Sequence, residues 1–259
     1  MKAKDIMHPE DAKALAVLKK IPFIDDICRE TLMLAGESIF RGENLAMMVR
    51  VTERCMPELH REMKEVARSV GIDMPELYVY NSPVMNAYTY GETKPFVCVS
   101  SSVVERLNSE ERKSILAHEC GHILCQHLLY DSVVMTLERL GRQIGLIHYA
   151  LTGPVELALC YWSRRSEYSA DRCAAVVVGE RTFQSAMLKM TGGLSDIGDD
   201  PYLLVRQAEE YHRYEKRSVW SRIQQNCRMA FDSHPQTVNR AYEIDRWKRS
   251  YAYRKLRTI

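Results

Sequence analysis

Two histidines stand four residues apart in the run Ala117-His118-Glu119-Cys120-Gly121-His122. On a helix that spacing puts both imidazoles on one face, a turn apart, where they can grip one zinc ion. Glu119 sits beside them and can take a proton from a water that such an ion acidifies to a pKa of about 7. A hydrolytic zinc site needs a third protein ligand and one position left open. The candidates lie in Ser163-Arg-Arg-Ser-Glu-Tyr-Ser-Ala-Asp171. Glu167 and Asp171 are again four apart, so one can ligate while the other orients a histidine. Taken alone, Arg164, Arg165, Glu167, Asp171 and Arg172 describe a solvated charged face. Next to a helical HExxH they describe a ligand set.

Both segments need rigid helices to hold them. Ser109-Glu-Glu-Arg112 reads as an N-cap and an acidic first turn, and Ile115, Leu116, Ile123, Leu124 and Leu128 carry the helix onward. Residues 164–191 read as a second helix that stops at Gly192-Gly193. Upstream, residues 9–35 are helical with a break near Pro22, and residues 44–70 form a longer helix interrupted near Pro57. Between them and the HExxH helix the texture turns to strand. Leu77–Tyr80, Asn86–Tyr90 and Phe96–Ser100 are rich in β-formers and separated by Asn81-Ser-Pro83 and the run 91–95, which predicts a small antiparallel sheet of three strands. Residues 143–163 hold Glu156 as their single formal charge, and Gly153-Pro154 falls mid-way, so two amphipathic helices joined by a turn are expected rather than a membrane span.

Composition narrows the function classes. The chain has 259 residues, 46% hydrophobic and 27% charged, with a formal net charge of +2; its mean hydropathy is −0.31. It can bury a sizeable core, and neither a polytopic membrane protein nor a globally charged nucleic-acid binder fits. No nucleic-acid partner is expected. The start of the sequence carries no apolar run long enough for a secretion signal. Eight scattered cysteines without a CxxC pair suggest free thiols in a reducing cytoplasm. Residues 239–259 hold seven Lys or Arg interleaved with Tyr242, Trp247, Tyr251 and Tyr253. An amphipathic terminal helix packed by its aromatics is the expected form. Peripheral contact with an anionic membrane, through this tail or through residues 140–162, is the competing one.

Four stretches resemble the M48 zinc metallopeptidases. They are Asn86-Ala-Tyr-Thr-Tyr-Gly91, the run from Leu107 to His122, the SRRxEYxAD pattern ending at Asp171, and Ser233-His234-Pro235 followed by Arg240. They occur in family order between residues 77 and 240. The resemblance implies that Glu167 joins His118 and His122 as a ligand of one zinc ion per chain. It implies that Asp171 partners a zinc histidine and that His234 lies near the active site as a catalytic group on the oxyanion. It also implies that Asn86, Ala87 and Tyr88 pair with substrate backbone as an added strand. Many members of the family carry transmembrane helices; this sequence reads as a member without them. Cys120 stands where the family has an aliphatic residue, about 200° round the helix from His118, and so faces the core.

The expectation is an α+β, zincin-like fold, mostly helical with one small sheet, as a single domain over 1–259 whose first 45 residues form a helical extension. The expected function is zinc-dependent endopeptidase action on peptide or protein substrates, with Glu119 as general base. The competing expectation is a zinc-binding scaffold of the same fold without catalysis.

Overall fold

The computed structural model describes residues 1–35, 37–144, 146–198, 200–217 and 234–258, without the side chains of 35, 140–152 and 217. Four helices open the chain: α1 (Ala3–Ile6), α2 (Pro9–Leu18), α3 (Ile24–Ala35) and α4 (Glu37–Met47). The predicted break near Pro22 falls between α2 and α3. Residues 44–70 are not one interrupted helix. The short strand β1 (Val49–Arg50) intervenes before α5 (Pro57–Val70), which starts on Met56 in the left-handed region and places Pro57 at its first turn.

The sheet has four strands, adding β2 (Glu76–Tyr80), β3 (Ala87–Tyr90) and β4 (Phe96–Ser100), in the order β1-β2-β4-β3. It is mixed, not antiparallel. β4 runs parallel to β2 and antiparallel to β3, so β3 is displaced to an edge. Side-chain character explains the order. Phe-Val-Cys-Val-Ser offers no polar face, and all five residues are buried, as a central strand covered on both sides requires. Alternation then splits the apolar residues between two cores. Leu77, Val79, Val97 and Val99 join the core built with α5, while Tyr78, Phe96 and Cys98 join Leu18, Leu32, Phe40 and Trp162 on the other face.

After the short helix α6 (Ser101–Arg106) comes α7 (Ser109–Leu124). Its N-cap is Asn108 rather than Ser109. Asn108 accepts from the Glu111 backbone N–H and Glu111 accepts from that of Asn108, closing a capping box. Arg112 grips the buried Glu62 of α5 through two nitrogens at 2.6 and 2.9 Å. Then follow α8 (Leu128–Ile144) and α9 (Leu146–Val178).

The turn expected at Gly153-Pro154 is absent: α9 continues through it with Pro154 inside. An internal proline costs about 3 kcal/mol. Packing of α9 against α2, α7, α8 and α10 outweighs that. The predicted helix 164–191 is instead divided at Gly179, whose φ of 88° ends α9 and starts α10 (Glu180–Gly192). Among the described residues, α11 (Leu203–Arg217), α12 (Thr237–Trp247) and α13 (Tyr251–Arg257) follow. Ala241, Ile244, Trp247 and Tyr253 pack the last two inward, and Lys248 and Arg249 pair with Asp245. Among the described residues, no helix is long and apolar enough to cross a membrane.

Candidate metal centre

Helices α7 and α9 cross at Gly121. A Cβ there would lie 2.8 Å from Cys173 Cβ and 3.0 Å from Ala170 Cα, so only glycine permits this approach. The crossing brings the imidazole face of α7 onto the carboxylate face of α9. His118 Nε2 and His122 Nε2 are 3.2 Å apart. Glu167 offers Oε2 at 3.4 Å from the first and Oε1 at 3.3 Å from the second. All three residues are buried.

These separations test the fit of a zinc ion, which this donor set of two imidazoles and a carboxylate suits. Bonds of about 2.0–2.1 Å in a tetrahedron put ligand atoms about 3.3 Å apart. The separation of the two imidazole nitrogens is close to that edge length, and each carboxylate oxygen of Glu167 stands at a similar distance from one of them. Glu167 Oε2 is buried and accepts no hydrogen bond, although Arg240 Nη1 faces it at 2.9 Å. An oxygen left in that state has capacity for a cation.

The surroundings fix the ligands. Asp171 Oδ1 lies 3.0 Å from His118 Nδ1, which leaves Nε2 to face the centre. Arg240, from α12, clamps Asp171 at 2.6 and 2.9 Å and reaches Glu167 as well. Burial alone would push the Glu167 carboxyl up, but the charges of Arg240, His234 and His118 hold it well below its ordinary range. Burial would likewise raise Asp171, and Arg240 with His118 reverses that. For His122 burial works against the charged ring, yet Asp131 and Glu167 raise it well above the usual histidine value. Asp131 Oδ2 is 3.2 Å from His122 Nδ1.

Glu119 projects beside this cluster. Thr89 Oγ1 of the edge strand donates to Glu119 Oε2 at 2.6 Å. Two clefts flank the group, of about 240 and 60 Å³, and both include Ala87, His118, Glu119, Glu167 and His234 in their walls. The larger ends on apolar side chains, among them Ile115, Phe183, Met187 and Met190. His234 is mostly exposed, with Nε2 3.8 Å from Glu167 Oε1. Asn86 and Ala87 line the larger cleft and Tyr88 the smaller, while among the described residues no strand lies beside the far edge of β3. Cys120 is fully buried, its Sγ 4.0 Å from Met63 Sδ, and burial pushes its thiol up.

The sequence profile of peptidase family M48 matches residues 53–248. This chain belongs to peptidase family M48. It is 33% identical over 261 residues to the plastoglobule-localized metallopeptidase 48, chloroplastic, of Arabidopsis thaliana, covering 98% of this chain and 75% of that one. It is 30% identical over 165 residues to protease HtpX of Acinetobacter baylyi, with 51% and 54% covered. HtpX of Idiomarina loihiensis is 24% identical over 216 residues, with 72% and 71% covered.

For this M48 metallopeptidase the sequence showed the residues that converge but not the clamp. Arg240 was visible only as the arginine after His234-Pro235, without a partner. Thr89 carried no signal, because its role depends on β3 being the edge next to α7. The place of His127 and Asp131 beside His122 is not readable from sequence, since the chain leaves α7 after Leu124 and nothing in sequence says which side of His122 they face. Ser233 and Cys227 lie outside the described residues, as do the side chains of 140–152, part of the stretch 140–162 named for the competing membrane contact.

Proposed function

We propose that this chain is a zinc-dependent endopeptidase that binds one zinc ion through His118, His122 and Glu167. The observation that carries the reading is the cluster of buried donor atoms: His118 Nε2 and His122 Nε2 lie 3.2 Å apart, with one Glu167 oxygen 3.4 Å from the first and the other 3.3 Å from the second. Zinc in such a site polarises a carbonyl and acidifies water.

The chain's own groups supply the rest. Asp171 and Arg240 hold His118 in one tautomer and Glu167 ionised. Glu119, fixed by Thr89, accepts the proton of the attacking water and returns it to the leaving amine. His234, at the mouth of both clefts, hydrogen-bonds the developing oxyanion. The substrate backbone extends β3 along Asn86, Ala87 and Tyr88, so register comes from main-chain hydrogen bonds and selectivity from the cleft. The apolar end of the larger cleft takes an apolar side chain next to the scissile bond. The free thiols of seven buried or half-buried cysteines fit a reducing compartment, such as a cytoplasm.

A peptide-library digest of the wild type and of Glu119→Gln tests this. Expected is cleavage with an apolar preference on one side of the bond, abolished in the variant while zinc content stays equal. Zinc binding without cleavage of any library member would favour a scaffold instead.

A further inference from the structure

Asp11 of α2 lies outside the segment matched by the family and away from both clefts, yet its side chain has no exposure to solvent. A buried carboxylate is costly unless donors surround it. Three do. Ser169 Oγ donates to Oδ2 at 2.5 Å, Trp162 Nε1 to Oδ1 at 3.2 Å, and His127 Nε2 lies 3.1 Å from Oδ2. His127 is itself 1% exposed, and its other nitrogen, Nδ1, lies 3.1 Å from His122 Nδ1.

The hydrogens of this chain follow from its ends. Asp11 only accepts, so His127 carries its hydrogen on Nε2 and presents a lone pair on Nδ1. His122 must then donate from Nδ1, which leaves the lone pair of Nε2 facing His118 and Glu167. Asp131 Oδ2 also approaches His122 Nδ1, at 3.2 Å, and so adds a second carboxylate behind the same nitrogen, while its Oδ1 takes the Ser163 hydroxyl.

We propose that Asp11 and His127 are positioning residues for the metal centre: a helix upstream of the matched segment sets the tautomer and orientation of His122 through a buried carboxylate–imidazole relay. This rests on the reading of His118, His122 and Glu167 as zinc ligands. The relay parallels Asp171 on His118: Asp171 acts on its histidine directly, and Asp11 acts on His122 through a second ring. The N-terminal helix α2 is in this account a brace behind the site and not a plug in front of it.

Zinc affinity of the full chain, by competition with a chromophoric chelator, tests the proposal. His127→Leu is expected to bind zinc about 10-fold or more weakly and to alter the visible spectrum of the cobalt(II) form. His127→Gln recovers most of the affinity, since its amide can accept from His122 and donate to Asp11. Leu18→Ala loosens the packing of α2 without touching the relay; it lowers the melting temperature and leaves zinc affinity near wild type. Wild-type affinity in His127→Leu overturns the proposal, as does an equal loss in Leu18→Ala, which would mark mere packing. Two zinc ions per chain, one lost in His127→Leu, also overturns it, because His122, His127 and Asp131 would then be a second metal site. If His127→Leu does not fold, Asp11→Asn carries the test: several-fold weaker zinc supports the relay and unchanged affinity refutes it. A wild type that takes up no zinc defeats the underlying reading. Zinc lost in His122→Ala but indifferent to His127→Leu and Asp11→Asn defeats the relay alone.

Discussion

Glu119 is the residue on which the proposed chemistry turns, and its environment sets it apart from its neighbours. Glu167 meets Arg240 and two imidazoles at close range, while the side-chain hydrogen bond to Glu119 among the described residues comes from a neutral hydroxyl, that of Thr89. Glu119 thus stands beside the cluster of ligand atoms and not within it. Replacing it by Gln removes the acceptor and little else. Cleavage should therefore fall by about 10²–10⁴-fold, measured as kcat/KM on a fluorogenic peptide, at unchanged zinc content. A fall matched by zinc loss would put Glu119 among the ligands instead. Arg240 makes the opposite case. It balances two buried carboxylates, and Arg240→Met leaves Asp171 and Glu167 without their cation. The expected cost is about 3–5 kcal/mol, read as a drop on the order of 10 °C in the melting temperature of the zinc-free protein. HExxH and SRRxEYxAD made the converging residues legible in sequence because ligand spacing is a local property of a helix. The partners of Arg240 and Asp11 were not legible, because each acts across more than 60 residues of chain and only packing brings it there.

At the scale of elements, the crossing of α7 over α9 decides whether the ligands meet. Gly121 is the contact point, and no flexible side-chain end is available to yield there. Gly→Ala inside a helix gains about 1 kcal/mol from propensity alone. Here overpacking of about 1–3 kcal/mol opposes it, and the helices must part. Gly121→Ala should bind zinc more weakly than wild type and gain no stability in thermal unfolding. Higher stability with intact affinity would mean that the helices do not approach this closely. The helices themselves were legible from periodicity and caps, and their ends were not. Pro154 failed to stop α9 because burial along its length exceeds one lost hydrogen bond, and Gly179 succeeded because its positive φ leaves the helical region. The direction and order of the strands are not legible in sequence for a related reason. Strand patterns reveal which residues alternate, but the order of strands depends on which of them needs cover on both faces, and that selected β4 for the centre.

At the scale of the whole molecule, two cores clasp the sheet, and buried ion pairs tie the helices around them. Glu111 belongs to this frame. It closes the cap of α7, accepts from Ser185 at 2.7 Å and pairs with Lys189 at 2.9 Å. Burial opposes its charge, but Lys189, Ser185 and the Asn108 backbone more than offset this and lower its folded pKa. A lowered carboxylate pKa stabilises the fold above the unfolded value of about 4.3. That contribution is lost as pH falls through the folded value. Glu111→Gln should accordingly flatten the stability–pH curve below about pH 4.3 in denaturant titrations; an unchanged slope would deny the pairing. The two-core frame holds His118, His122 and Glu167 at fixed separations, and the function proposed depends on that. The most direct test is the zinc content of the purified chain by mass spectrometry, wild type against Glu167→Ala. The account predicts one zinc per chain in the first and a small fraction of that in the second; equal zinc in both, or none in the wild type, would contradict it.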